Sequence, residues 1–427
     1  IVTDPFLTLS RGTQKSQGLT DMCFVTVPHP LGMISKEEVN AKVDAAFDDI
    51  VKAATAWTPS KEKQDAQVKP YPAKRFKFSG TYADVNDMFQ KRKWSLSLPI
   101  VPPTVDKVAA MLKGTKRNPA EVLWVVPPRQ GMLTVELVAA LGVMAGAKPE
   151  HMPLLIATVE AMADPVAAWR GPTTTTAATV PVFFISGPII EKLKLNPGTG
   201  TAGGENPVTN ALGYFVNLVG DVVGGSVPPN FDKSTHGSSA DLVAMVFTEN
   251  AKENPWKTTY AEEAGFKPGD SIVTHFSAYL GNANIDHDSK TGQRLLTTLS
   301  TGLLGSASGL ASCLADYDAS YAINNKVSFA FIVLCPEHAA TIAKDFPDQR
   351  AARNFMRETA AMPYKFYSQE TCVPGKDFGP YDENTFIPRF KKTESIKFFV
   401  SGGPGKQSQI WVPFPQVFKP VSKKIAE

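Results

Sequence analysis

The stretch VSFAFIVLCPEHAATIA, residues 327–343, decides the fold class. The unbroken apolar run over residues 327–334 is typical of a strand buried on both faces, and the Pro-Glu-His that follows Cys335 is typical of a helix start. A second apolar run, residues 180–185, leads in the same way into Ser186-Gly187-Pro188. Strands and helices alternate along most of the chain. The sequence therefore predicts an α/β fold.

Three segments are expected. Residues 1–57 contain two short β-prone runs and an amphipathic helix that begins after an N-cap, Ser35, which predicts the C-terminal part of a doubly wound α/β domain. Two strands and one helix cannot cover both faces of a parallel sheet, so we expect this piece to be incomplete and its other strands to come from elsewhere. Residues 58–80, rich in Lys, Pro and Gln, predict an exposed linker. Residues 81–427 predict a large α/β companion domain with a mixed sheet.

Composition and charge exclude several classes of function. The chain has 44 Lys plus Arg and 41 Asp plus Glu, a formal charge of +3, and no long basic block, so a nucleic-acid or anionic-membrane partner is not expected. The longest apolar stretches are shorter than the ~20 residues of a membrane-spanning helix. Four cysteines without a CxxC pair indicate neither a zinc ribbon nor a redox motif, and a cytoplasmic protein is expected.

A Pro-Glu-His motif occurs twice, at residues 149–151 and 336–338, each time at a predicted helix start. In the second copy Cys335 precedes the motif, at the carboxyl end of a strand where ligands of open α/β sheets bind. The helix dipole is expected to depress the pKa of the Cys335 thiol and make it a nucleophile or a metal ligand. The alternative is that these residues have structural roles. Pro and Glu are common in the first turn of a helix, and a Cys at the end of a strand is usually buried in the core. Both interpretations stay open for Glu150, His151, Cys335, Glu337 and His338.

Other features carry weaker signals. His29 stands between two prolines and is a candidate binding or catalytic residue, whereas His236, His275 and His287 are expected to have ordinary structural roles. The glycine-rich stretch 197–204 lacks the spacing of nucleotide-binding loops and predicts a flexible loop or lid. The stretch 402–406 predicts a turn between strands.

The turn Val27-Pro28-His29-Pro30-Leu31-Gly32 and the helix after it resemble the end of the UGSC family of selenocysteine- or cysteine-containing proteins. They are also distantly similar to the selenoprotein subunit of glycine/betaine reductases. Residues 84 to about 362 resemble the domain often found beside the UGSC domain, through Leu98-Pro99-Ile100-Val101-Pro102-Pro103-Thr104 and Thr134-Val135-Glu136. That second motif adds Glu136 to the candidate catalytic residues.

The chain departs from these families in ways that point to a partner. The redox Cys-Gly-Ser-Cys element is absent, and we expect it to belong before Ile1. Leu96-Ser97 replaces the Asp-Gly of relatives, and Ala147-Lys148 replaces their Cys position. If those positions are catalytic in relatives, the resemblance implies a divergent member that relies on another subunit.

Three functions remain open. The first is a subunit of a hetero-oligomeric enzyme acting on a small polar molecule by redox or lyase-type chemistry, with the thiolate or selenolate on a partner chain and with His29 and the two Pro-Glu-His starts near the site. The second is a metal-dependent hydratase or hydrolase of a small electrophile such as a nitrile, with a transition metal held by Cys335, Glu337 and His338, and with His29 as a further candidate ligand. The third is a non-catalytic scaffold or binding subunit. Neither substrate nor cofactor is identified by the sequence.

Overall fold

The N-terminal unit is small. The computed structural model describes residues 1–16, 22–32, 34–58, 71–279, 281–305, 329–367, 382–414 and 417–426. Strand β1 (Val2–Thr3) pairs in parallel with β2 (Thr26–Val27), beside α1 (Leu7–Ser16) and α2 (Lys36–Thr55). The predicted N-cap is confirmed: Ser35 Oγ accepts from Glu38 N at 3.1 Å, and the Glu38 carboxylate accepts from Ser35 N at 3.0 Å. The two predicted strands are shorter than expected, because residues 4–6 turn into a 3₁₀ helix.

The rest of the described chain alternates helices and strands, which confirms the α/β class. The helices are α3 (Tyr82–Lys91), α4 (Val105–Leu112), α5 (Val135–Met144), α6 (Met152–Ala163), α7 (Ile189–Lys192), α8 (Pro207–Asn217), α9 (Tyr260–Glu263), α10 (Gly292–Gly305), α11 (Pro336–Asp345) and α12 (Gln349–Thr359). The strands are β3 (Val122–Val126), β4 (Gly131–Thr134), β5 (Thr179–Ser186), β6 (Met245–Thr248), β7 (Ile272–Tyr279), β8 (Asn282–Ile285), β9 (Ala330–Leu334), β10 (Ala361–Pro363), β11 (Phe386–Pro388), β12 (Ile396–Val400), β13 (Gln407–Trp411) and β14 (Val421–Lys424). Cys313 and Cys372 lie outside the described residues.

Two mixed four-stranded sheets form the centre, and they repeat one pattern. The first has the order β14-β7-β5-β6 and the second β8-β13-β9-β12. In each sheet, one pair is parallel (β5 with β6, β9 with β12) and the other two pairings are antiparallel. One strand passes from each sheet to the other. β8 follows β7 in the chain but joins the second sheet, and β14 follows β13 but joins the first.

The two sheets pack face to face between outer layers of helices. Phe184 of β5 stacks on Phe331 of β9, with ring centroids 4.4 Å apart, in a core shared by both sheets. Helices α5, α6 and α8 cover the other face of the first sheet, and α10, α11 and α12 cover the other face of the second. Both faces of β5 and β9 are therefore buried, which explains why residues 180–185 and 330–334 are apolar throughout. None of the helices in the described ranges combines the length and apolarity that crossing a membrane requires.

Candidate functional site

Cys335 is the N-cap of α11, directly after β9, and its side chain is buried. Its backbone N–H donates to Ser408 Oγ of β13 at 3.4 Å. Burial raises the pKa of the Cys335 thiol, and hydrogen bonds from the backbone of His338 and Gln407 oppose this only in part. The expected depression of the Cys335 pKa by the helix is therefore wrong. Near neutral pH the thiol stays protonated, which does not favour it as the nucleophile.

His338 uses both ring nitrogens in structural contacts. Nε2 lies 3.0 Å from the carbonyl oxygen of Asp286, and Nδ1 lies 2.8 Å from Ser408 Oγ. Because a carbonyl only accepts, we assign the hydrogen to Nε2, so that Nδ1 accepts from the Ser408 hydroxyl. Burial lowers the pKa of His338, which keeps the ring neutral. The imidazole thus ties α11 to β13 and to the loop after β8.

Glu337 holds the glycine-bearing turn between β12 and β13. Its Oε2 accepts from the backbone N–H of Gly405 at 2.6 Å and of Lys406 at 2.9 Å, and these bonds lower its pKa. The turn predicted over residues 402–406 is confirmed.

The predicted metal ligands lie around one helix start, but they do not fit a metal ion as placed. Both nitrogens of His338 and one oxygen of Glu337 already bind protein groups. Within the described ranges, no group of three or more His, Cys, Asp or Glu side chains is arranged to hold a metal. We therefore derive no step through a metal ion.

His338→Ala is expected to lower the free energy of unfolding by about 2–4 kcal/mol, because it leaves the Ser408 hydroxyl without its acceptor and the half-buried Asp286 carbonyl without its donor. Urea denaturation measures this. The control is His287→Ala, an exposed neighbour whose replacement should change stability by no more than ~0.5 kcal/mol. Equal losses in the two variants would contradict the structural role of His338.

The remaining predicted residues serve local contacts. His151 Nδ1 accepts from Lys148 N at 3.0 Å and closes the turn before α6, while Glu150 is exposed. Burial lowers the pKa of His151. Buried Glu136 accepts from Ala73 N at 2.9 Å and from Arg75 at 3.1 Å, and so holds the segment after residue 70 against α5.

His29 lies in the N-terminal unit and is exposed. Its backbone N–H donates to Asp4 Oδ1 at 3.0 Å, and its Nδ1 lies 3.2 Å from Thr3 Oγ1. These contacts fix the ring beside β1 and leave it accessible at the surface of that unit.

Glu249, which is not among the residues predicted from the sequence, carries a buried carboxyl group directly after β6. The Ser186 hydroxyl, at the end of the parallel neighbour β5, donates to Glu249 Oε2, and Tyr260 N donates to Oε1 at 2.7 Å. Burial raises the pKa of Glu249 to about 7 in spite of these bonds, and the charges of Glu262 and Glu263 add to the rise. One signal was available: an acidic residue follows the apolar run at residues 243–247 with only Thr248 between them.

Glu249 lies where the two sheets meet. Glu249 N donates to Ile185 O at 2.9 Å, Ser401 N donates to Leu334 O at 3.0 Å, and Glu249 and Ser401 form a β-bridge between the sheets. Each of these residues follows the second strand of its parallel pair. Cys335 follows β9, the neighbour of the strand that leads into Ser401. The carboxyl ends of both parallel pairs therefore meet around a titratable carboxyl group.

Two loops that contain glycines pack together beside Glu249, where the two sheets meet. Gly402 N donates to Pro197 O at 2.8 Å, and Asn250 Nδ2 donates to Gly402 O at 3.1 Å. An ideal Cβ on Gly403 would lie 2.0 Å from Thr199 Oγ1, so only glycine permits this approach. The loop over residues 197–204, predicted to be flexible or a lid, packs here against the turn after β12.

The arrangement allows acid–base chemistry. A carboxyl group with a pKa near neutrality is partly protonated at pH 7, so it can give or take a proton. A perturbed pKa at the carboxyl ends of parallel strands is a common property of functional sites.

The N-terminal unit is similar to a known family. The model of the UGSC family matches residues 1–56. This match confirms the resemblance that the turn ending in Gly32 suggested. No curated protein matches the chain. The resemblance of residues 84 to about 362 to the companion domain remains a prediction.

Proposed function

We propose that this chain is a subunit of an enzyme acting on a small polar molecule, with Glu249 as its acid–base group and the reactive thiolate or selenolate on a partner chain. The observation that carries the proposal is the buried Glu249 carboxyl group, whose pKa is raised to about 7 where the parallel pairs of both sheets end. The raised pKa of Cys335 and the occupied ring of His338 leave the nucleophile to be supplied from elsewhere.

The chemistry fits a lyase-type transfer. The partner's sulfur or selenium would form a bond to an electrophilic carbon of the substrate, and the leaving group would depart with the electron pair of the broken bond. Protonated Glu249 would give its proton to that leaving group and become a carboxylate. Attack of water on the same carbon would then break its bond to sulfur or selenium, which regenerates the thiolate or selenolate, and the proton that this water releases would return to Glu249. Separation of Thr199 from Gly403 would open the path to the carboxyl group.

We place the binding surface for the partner chain on the N-terminal unit. Along α2, Val43, Phe47 and Val51 recur every four residues and are 40%, 57% and 42% exposed, which makes an apolar stripe on one helix face. A neighbouring face of α2 packs its Ala46 against Val25 and Val27. We propose that the partner covers the exposed stripe and completes the small sheet β1-β2.

Phe47→Asp is expected to abolish association with the partner, because a charge would enter an apolar contact. Native mass spectrometry of the protein isolated from its source should show a second chain carrying a Cys-Gly-Ser-Cys or related segment, and Phe47→Asp should lose it. Val105→Asp is the matched control, since Val105 is a helix residue with 54% exposure outside this unit, and it should keep the partner. A wild-type chain that turns over substrate as a lone, folded monomer would overturn the partner-borne nucleophile.

A scaffold or binding subunit is the second candidate, and the contacts of Glu136, His151, Glu337 and His338 favour it, because each of these side chains holds backbone in place. Glu249→Gln separates the two functions. Full turnover by the assembled Glu249→Gln complex would support the scaffold.

A further inference from the structure

We propose that a surface formed by residues 74–78 and 91–94, here called the aromatic surface, binds single-stranded nucleic acid by stacking its bases and contacting its phosphates. The sequence has no long basic block, because its cations stand in two short segments, residues 74–77 before α3 and residues 91–93 at its end. The fold brings these two segments together. The inference does not depend on the role proposed for Glu249.

Aromatic rings join the two segments. The ring centroids of Phe76 and Trp94 lie 5.6 Å apart. The guanidinium carbon of Arg92 lies 5.4 Å from the centroid of Phe76 and 4.7 Å from that of Trp94. Phe76 is 50% exposed, and Phe78 in the same segment is 43% exposed. Unpaired bases stack on aromatic rings and on guanidinium planes, so this group offers them a platform.

The platform is held in place from below. Trp94 meets the buried ring of Phe89 edge to face, with centroids 5.6 Å apart. On the other segment, buried Glu136 accepts from Ala73 N at 2.9 Å and from the Arg75 guanidinium at 3.1 Å. Both segments are therefore fixed before a ligand arrives, which lowers the entropy cost of binding. This gives Glu136 a role as a positioning residue.

Cations outnumber carboxylates on these segments after every ion pair is counted. Arg75 is neutralised by Glu136. The other cations are exposed and form no ion pair within the described part of the chain: Lys74, Lys77, Lys91, Arg92 and Lys93. Two carboxylates lie on α3, Asp84, which binds Thr81, and Asp87, one turn before Lys91. Five cations against two carboxylates leave a local surplus that phosphates would neutralise.

The composition favours nucleic acid over an acidic protein. Four of the five unpaired cations are lysines, a residue that is depleted in protein–protein interfaces and common at phosphate contacts. Along residues 74–78, cations and rings are interleaved in the order Lys-Arg-Phe-Lys-Phe. Stacking rings beside cations are the parts that sites for single strands use.

The test is fluorescence anisotropy of the full chain with labelled thymidine and uridine oligonucleotides of about 12 nucleotides. At least one is expected to bind with a dissociation constant on the order of 10 µM or below at about 50 mM salt. The tighter one shows whether DNA or RNA is preferred. An abasic strand of equal length keeps the phosphates but lacks the bases, so it should bind at least ~10-fold more weakly.

Variants locate the site. Phe76→Leu should weaken oligonucleotide binding at least ~10-fold, because it removes the exposed ring. The matched control is Phe366→Leu, since Phe366 is 61% exposed and also carries a cation, Lys365 Nζ, 5.5 Å from its ring centroid. This variant should bind as the wild type does.

Salt dependence checks the phosphate contacts. Lys77→Gln and Lys93→Gln should each reduce the slope of log K against log salt concentration by about 0.7, the value for one phosphate contact of a single strand. Lys107→Gln, at an exposed lysine of α4, should leave the slope unchanged. Circular dichroism checks that each variant folds. If Phe76→Leu does not fold, the abasic strand on the wild type still decides.

Three results would overturn the proposal. The first is no binding of either oligonucleotide at protein concentrations on the order of 100 µM. The second is equal binding of the abasic strand, which would mean that the rings are not used. The third is competition by polyglutamate as strong as that by unlabelled oligonucleotide, which would indicate an acidic protein segment as the partner.

Discussion

Phe184→Ala is expected to lower the free energy of unfolding by about 3–5 kcal/mol. Phe184 is fully buried and makes ring contacts with residues of both sheets. Its centroid lies 4.4 Å from Phe331, 4.9 Å from Phe399, 5.4 Å from Phe247 and 5.8 Å from Phe276. Removing the ring leaves a cavity at the contact between the sheets, and the surrounding strands are too constrained to fill it.

Denaturation in guanidinium chloride, with circular dichroism as the signal, measures the Phe184→Ala effect. Phe366→Ala is the control, because Phe366 is 61% exposed and its truncation should change stability by no more than ~0.5 kcal/mol. A loss below ~1 kcal/mol for Phe184→Ala would mean that the sheets do not pack through this ring.

Glu249→Gln is expected to reduce turnover of the assembled complex by about 10²–10⁴-fold, the range in which acid–base groups contribute. Gln keeps the shape and one acceptor oxygen for Tyr260 N, so assembly should be intact. Turnover is measured as loss of small polar molecules from a cell extract, followed by mass spectrometry. Glu150→Gln, at an exposed carboxylate, is the control and should keep activity.

The same substitution changes how stability depends on pH. The pKa of Glu249 is about 7 in the folded chain against an ordinary value of 4.5, so between these values the folded state holds a proton that the unfolded state has released. The wild type therefore loses about 3 kcal/mol of unfolding free energy from this group as the pH rises from about 4.5 to 7. Glu249→Gln does not titrate, and it should lack this loss. Parallel stability curves for the wild type and the variant would contradict the raised pKa.

Much of the fold could be predicted from local patterns in the sequence. The apolar runs at residues 180–185 and 327–334 correspond to β5 and β9, and α2 begins after the predicted N-cap, Ser35. These features depend on neighbours within a few residues, which a sequence displays directly. The strands β8 and β14 were missed because they are short and polar, and because each is held by pairing with a distant strand.

The candidate site was harder to predict because its contacts also join residues that are far apart in the sequence. The sequence located the start of α11 at Cys335, but Ser408, which lies 70 residues beyond His338, determines how that imidazole is used. Glu249 gains its raised pKa from burial between two sheets, which outweighs the opposing hydrogen bond from Ser186, and both effects come from strand order. The two Pro-Glu-His copies look equivalent in sequence, yet one opens α6 and the other follows β9. Their imidazoles consequently hold different parts of the chain.

Infrared difference spectroscopy tests directly whether Glu249 exchanges a proton near neutral pH. Spectra of the full chain are recorded across a pH range that spans about 4–9, and the carboxyl band missing from Glu249→Gln is assigned to this residue. We expect this band to disappear with a midpoint near pH 7. A midpoint near the ordinary value of 4.5 would contradict it.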